Sequence, residues 1–136
     1  MHTSWWKILL GLAMVANGVW FASQIRLFYD APAALRFHGD LPSDVDPSFV
    51  DLKVVAWGLA GLAWVVAGAG LISGRREWLP AAFVGFLLVD GLFAAELWLW
   101  GVTYPAVWGW FAAFGGLALV YAAVCRRVWR STAGFA

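Results

Sequence analysis

The stretch from Leu79 to Trp100, LPAAFVGFLLVDGLFAAELWLW, is long and apolar enough to cross a bilayer as one helix. It also carries two carboxylates, Asp90 and Glu96. Acidic side chains at bilayer depth are costly, so they usually face a bundle interior, a partner or a transport pathway. We therefore expect any chemistry in this chain to be organised around this helix.

The composition of the whole chain is typical of an integral membrane protein. Of its 136 residues, 63% are hydrophobic and 12% are charged, whereas soluble domains are about 45–50% apolar and about 25% charged. The length suits one domain, and a formal net charge of +1 gives no reason to expect a nucleic acid partner. The single cysteine, Cys125, excludes an internal disulfide and a CxxC redox centre.

Three further apolar stretches accompany the first. We predict an all-α, four-helix transmembrane bundle forming one domain over residues 1–136, with spans at about 5–28, 54–73, 79–100 and 105–125. A signal peptide is the alternative interpretation of the first span. No A-x-A-like cleavage site follows that span, so we expect an uncleaved helix.

One long connection is predicted, an outer loop over residues 29–52 that is rich in aspartate and proline. Long loops in compact domains are often functional, so this loop is a candidate docking surface. His38 with the nearby aspartates offers an external metal site, but we expect a solvated acidic loop and no metal. Asp46 followed by Pro47 resembles an N-cap with proline at the first helical position, so the second helix is expected to begin before the bilayer.

The distribution of Lys and Arg predicts the orientation. Four spans place both termini and the second loop on one side, with six cations: Lys7, Arg75, Arg76, Arg126, Arg127 and Arg130. The other side carries five aspartates and three cations: Arg26, Arg36 and Lys53. The positive-inside rule then puts both termini in the cytoplasm, and many of the eleven tryptophans fall at the two predicted interfaces.

Polar groups within the spans are the candidate site. Asn17 lies twelve residues after Trp5, and Asp90 lies eleven after Leu79, so the two share a depth near mid-membrane and a contact is reasonable. Glu96 lies at the level of Gln24 and Arg26, and we predict a Glu96–Arg26 ion pair. The predicted intramembrane polar cluster is therefore Asn17, Gln24, Arg26, Asp90 and Glu96. The cluster is either functional, as a proton or cation relay or a buried pocket with an outward mouth, or structural. In the structural case Asp90 makes a hydrogen bond and Glu96 an interfacial salt bridge.

Small residues on the second span form a predicted helix-packing seam. Gly70 and Gly74 make a GxxxG pattern, and Ala63 and Ala67 are also four apart, a spacing that lets helix backbones approach closely in lipid. This seam serves either a specific dimer or packing within the chain, and we expect the latter.

Two features near the end of the last span have alternative interpretations. Arg126, Arg127 and Arg130 either bind anionic lipid or a partner, or act only as topology determinants. Cys125 is either palmitoylated or a buried thiol. No Ser/His/Asp set, HExxH motif or glycine-rich phosphate loop occurs, which lowers the expectation of an enzyme without excluding one.

The segments LLGLAMVANGVW (residues 9–20) and AWGLAGLAWVVAGAGLISGRREWLPAAFVGFLLV (residues 56–89) resemble the small four-span membrane proteins of the DoxX-like group. The resemblance implies a bacterial cytoplasmic (inner) membrane protein of a group sometimes linked to quinone or thiol redox complexes. It names no catalytic residue and no cofactor. The group's arginine in the first helix and glutamate in the second correspond here to Lys7 and to the uncharged residues 58–63, so no role for those charges transfers.

Three functions follow as expectations. The first is a non-catalytic accessory or docking subunit of a larger membrane complex, whose partners beyond the lipid bilayer are other membrane subunits or a second copy. The second is a small proton- or cation-linked transporter using Asp90 and Glu96. The third is a binder of a lipophilic ligand such as a quinone.

Overall fold

The computed structural model describes residues 5–30, 47–100 and 106–132. It contains four α-helices: α1 (Trp5–Asp30), α2 (Pro47–Ser73), α3 (Ala81–Trp100) and α4 (Ala106–Thr132). A short 3-10 helix, Arg76–Trp78, joins α2 to α3. All four helices are long and apolar enough to cross a membrane, which confirms the prediction of an all-helical, multi-pass chain.

The helix boundaries refine the predicted spans. The second helix begins at Pro47, as the Asp46-Pro47 pattern predicts, and not at residue 54, where the predicted span begins. Residues 47–52 of the predicted outer loop therefore belong to α2. Residues 29 and 30 belong to α1. Residues 31–46 of that loop, including His38, lie outside the described residues. The last helix continues beyond residue 125 to Thr132, and three arginines therefore lie in its final turns.

The helices pack in chain order: α1 lies along α2, α2 packs against α3, and α3 packs against α4. An aromatic cluster joins all four at one level. Phe21 of α1 stacks on Trp57 of α2, with 4.4 Å between ring centroids. Phe21 also meets Phe114 of α4 at 5.6 Å, and Phe93 of α3 lies 5.8 Å from Phe114. Each such ring pair adds about 0.5–1.5 kcal/mol beyond area burial.

The close packing of α1 on α2 depends on four glycines. A Cβ atom added at Gly68 would lie 2.5 Å from the carbonyl oxygen of Gly11, and one at Gly61 would lie 2.7 Å from that of Gly18. Both distances are shorter than side chains tolerate. Because the two glycines on each helix are seven residues apart, they recur on one face of that helix, and the two backbones meet there.

The residues of the predicted helix-packing seam have different surroundings in the structure. They are Ala63, Ala67, Gly70 and Gly74. Ala67 is buried in the core and Ala63 is half-buried. A Cβ at Gly70 would lie 2.8 Å from Cβ of Trp78, in the turn that follows α2. Gly74 has φ +75° and ends α2, while the Arg75 N–H donates to the Gly70 carbonyl at 2.9 Å. This is a Schellman-type helix end.

Candidate functional site

A buried ion pair connects the start of α2 to the end of α3. The Lys53 Nζ donates to Glu96 Oε1 at 2.7 Å, and the two side chains are 0% and 1% exposed. The Lys53 ammonium also lies 5.7 Å from the centroid of the Trp57 ring, one helical turn further along α2. Because α2 and α3 are antiparallel neighbours, a residue early in α2 lies beside one late in α3.

The kind of interaction predicted for Glu96 is present, but its described partner is different. The sequence predicts a salt bridge to Arg26, whose side chain lies outside the described part of the structure, so that pairing stays a prediction. The charge distribution along the sequence indicates only a topological role for Lys53. The signal that reveals it is spacing: Lys53, Ala56, Ala60 and Trp64 recur at intervals of three or four on one buried face of α2.

The other predicted polar residues are not brought together. Asn17 is exposed on α1, and no hydrogen bond joins it to Asp90 in the described structure. Gln24 Nε2 donates instead to Ser23 Oγ at 3.3 Å. The Asn17–Asp90 contact expected from equal depth is therefore not formed, because α1 packs on α2 and α3 packs on another part of α2.

Asp90 has an unusual position. It is half-buried on α3, one turn from Phe86 and one from Phe93. Those two rings contact Tyr121 and Phe114, so Asp90 lies on the side of α3 that faces α4. Its Oδ1 atom is shielded from solvent and has no hydrogen-bond partner among the described residues. Buried polar atoms are nearly always paired, so this carboxylate requires an explanation.

A cavity of about 190 Å³ lies between α1 and α4. Its lining includes Ala13, Met14, Asn17, Trp64, Leu117 and Val120. The rim residues are exposed, so the cavity opens between α1 and α4 onto a surface that would face lipid in a bilayer. No local sequence pattern predicts this cavity, because the separation of α1 from α4 depends on the order of the helices in the bundle.

Two polar side chains that line the cavity, Asn17 and Tyr121, differ in whether they are available to bind a ligand. The Tyr121 hydroxyl donates to the carbonyl of Leu79 at 2.8 Å and so fixes α4 to the start of α3. The Asn17 amide has no such partner within the described helices and lies at the open edge. An amide has two donor positions and an acceptor oxygen, so it can bind a carbonyl or a hydroxyl of a ligand.

No group of three or more His, Cys, Asp or Glu side chains suited to a metal ion occurs among residues 5–30, 47–100 and 106–132. Cys125 is a buried free thiol. The candidate site is therefore the cavity with Asn17, together with the Lys53–Glu96 ion pair and Asp90. Comparison of the chain with models of protein families, with curated proteins and with solved structures found no match.

Proposed function

We propose that this chain is a non-catalytic membrane protein that binds a lipophilic molecule in the cavity between α1 and α4. The observation that carries this proposal is the cavity itself: apolar and aromatic walls, an opening toward the bilayer, and one available amide. Sites for small molecules are typically concave and mostly apolar, with few polar groups that fix orientation.

The size of the cavity limits what it holds. A dry protein cavity of about 150 Å³ is enough to bind benzene, so 190 Å³ accommodates one ring or a short branched chain. The rest of a longer ligand would extend through the opening into lipid. A molecule with one ring, a polar substituent and an apolar tail, such as a quinone, fits these limits.

The Lys53–Glu96 ion pair favours a binder over a proton-linked transporter. Glu96 is enclosed and neutralised by a lysine at 2.7 Å. A relay requires a carboxylate that exchanges protons with water, and enclosure in an ion pair opposes such exchange. The pair is better explained as a structural connection between α2 and α3.

The test is direct binding of decylubiquinone to the purified protein, measured by native mass spectrometry. Ala13→Phe should fill part of the cavity and reduce binding at least about tenfold, because an excluded ligand ring loses the burial of its apolar surface, and tenfold corresponds to about 1.4 kcal/mol. Asn17→Leu should weaken binding about fivefold, the size of one net hydrogen bond.

The matched control is Ala16→Phe, which makes the same change on the same helix. Ala16 is exposed and does not line the cavity, so wild-type binding is expected. Equal binding by the wild type and all three variants would show that the quinone only partitions into the detergent, and would contradict the proposal.

A second function, an accessory subunit of a larger membrane complex, is favoured by Asp90. Asp90 is only half-buried, so the part of its side chain that stays exposed is accessible to a donor on a helix of another subunit. Asp90→Asn should retain a partner that crosslinks in native membranes, and Asp90→Leu should lose it. Recovery of the chain alone after crosslinking would argue against this function.

A further inference from the structure

The arginines at one end of the bundle fall into two groups. Arg75 and Arg76 each rest on a tryptophan: the Arg75 guanidinium lies 4.9 Å from the ring centroid of Trp78, and that of Arg76 lies 5.1 Å from Trp129. At these distances each guanidinium is attracted to the face of its tryptophan ring as a cation–π pair. Tryptophans of this kind commonly mark the lipid headgroup level, so this end lies at a membrane interface.

Arg126, Arg127 and Arg130 form the second group, and their surroundings are different. All three are exposed in the last turns of α4. They have no carboxylate or aromatic partner in the described part of the chain. Together with Ala123 they line a surface groove of about 330 Å³. At 100° per residue, the three arginines lie within about 100° of the helix circumference, so their charges share one face.

Three like charges on one helix face repel one another. An anion placed between them relieves that repulsion, and the guanidinium fork matches the oxygens of a phosphate group. The groove faces outward from α4 at the headgroup level, where the phosphates of a bilayer lie. The small Ala123 side chain keeps the helix surface beneath the arginines open.

We propose that Arg126, Arg127 and Arg130 bind the phosphate of an anionic phospholipid. A second copy of the chain is a poor occupant of this face, because symmetric docking there would bring six guanidinium groups together. The site shares no lining residue with the cavity between α1 and α4. This proposal can therefore be tested independently of the proposed function.

The experiment titrates the purified full chain with phosphatidylglycerol or phosphatidylcholine of identical acyl chains, and native mass spectrometry measures both dissociation constants. The triple variant Arg126→Gln, Arg127→Gln, Arg130→Gln should lose about 100-fold in phosphatidylglycerol affinity, about fivefold per arginine. Its phosphatidylcholine affinity should fall much less, because the choline cation cancels the charge of that lipid's phosphate.

A matched control removes three cations from the same end: Lys7→Gln, Arg75→Gln, Arg76→Gln. These three residues do not line the groove on α4. Phosphatidylglycerol affinity should therefore fall by less than about threefold, which is the contribution of the overall positive charge at this end of the bundle. If the first triple variant fails to fold by circular dichroism, Arg130→Gln and Arg75→Gln replace the two triples. About a fivefold loss is then expected for Arg130→Gln alone.

Two results would overturn the proposal. Equal losses in both triple variants would mean a diffuse positive field and no site, with the arginines acting only as topology determinants. Wild-type protein that binds both lipids equally but binds a hexaglutamate peptide through these arginines would assign the face to an acidic protein partner.

Discussion

Lys53 and Glu96 show how two costly residues become compatible with a buried position. Each is almost completely enclosed, and the 2.7 Å contact between them offsets part of the desolvation that each charge requires. Trp57 contributes a ring face to the ammonium. Removing either partner leaves the other as an isolated buried charge, which is worse than removing both.

Lys53→Met should therefore destabilise the protein by about 3–5 kcal/mol. The double variant Lys53→Met, Glu96→Leu should be markedly more stable than Lys53→Met, because no charge is left unpaired. Denaturant unfolding in mixed micelles, followed by circular dichroism, measures these differences. Strictly additive effects of the two single substitutions would show that the pair does not act as a unit.

Gly74 is constrained by its backbone and not by its neighbours. It has φ +75° with no atom within 4 Å of an added Cβ, so space is available but the conformation is unfavourable for other residues. Gly74→Ala should cost about 1–2 kcal/mol in unfolding free energy. Gly91→Ala, at an open helical position, is the control and should be neutral or slightly stabilising. Equal effects at both positions would contradict the assignment.

At the scale of elements, the sequence predicts the helices well and their contacts less well. Four apolar stretches and the Asp46-Pro47 start of α2 are readable because length and capping are local properties. The glycine pairs at 11 and 18 and at 61 and 68 are equally visible in the sequence. The sequence does not show which helix these glycines face, because helix pairing depends on long-range packing. The predicted seam relies instead on Gly70 and Gly74, which lie at the end of α2.

The contact of α1 with α2 gives a sharp prediction. A Cβ at Gly18 would overlap the carbonyl oxygen of Gly61, so Gly18→Ala must move the two helices apart. We expect a loss of about 1–3 kcal/mol, the usual cost of overpacking. Gly116→Ala on α4, where an added Cβ meets no atom within 4 Å, should not destabilise. Thermal unfolding of both variants in one detergent makes the comparison.

If Gly18→Ala and Gly116→Ala unfold at the same temperature, the close approach of the α1 and α2 backbones is not a source of stability. The aromatic cluster around Phe21 would then be the main connection between those helices.

For the whole molecule, the depth of a residue is predictable but its neighbour is not. Asn17 and Asp90 have similar predicted depths, yet they belong to helices that do not pack extensively on each other. Depth gives only the position of a residue along the membrane normal. Its position in the plane of the membrane depends on the order of the helices around the bundle. The cavity arises in the same way, from the separation of α1 and α4, and no sequence pattern marks it.

The orientation of the whole chain can be tested by labelling with a membrane-impermeant maleimide in intact bacterial cells, in a Cys125→Ser background. Leu52→Cys, exposed near the start of α2, should react from outside. Glu77→Cys and Ser131→Cys, exposed at the opposite end, should react only after permeabilisation. The reverse pattern would contradict the predicted cytoplasmic position of both termini.

Trp64 gives the molecule an intrinsic optical reporter. Its ring is 1% exposed and lines the cavity, while its Nε1 atom, close to Gly85, has no acceptor among the described residues. An indole in such dry surroundings emits at short wavelength and transfers its excitation to an absorbing molecule beside it. A chain that retains Trp64, with the other ten tryptophans replaced by phenylalanine, would therefore signal occupancy of the cavity as a loss of blue fluorescence.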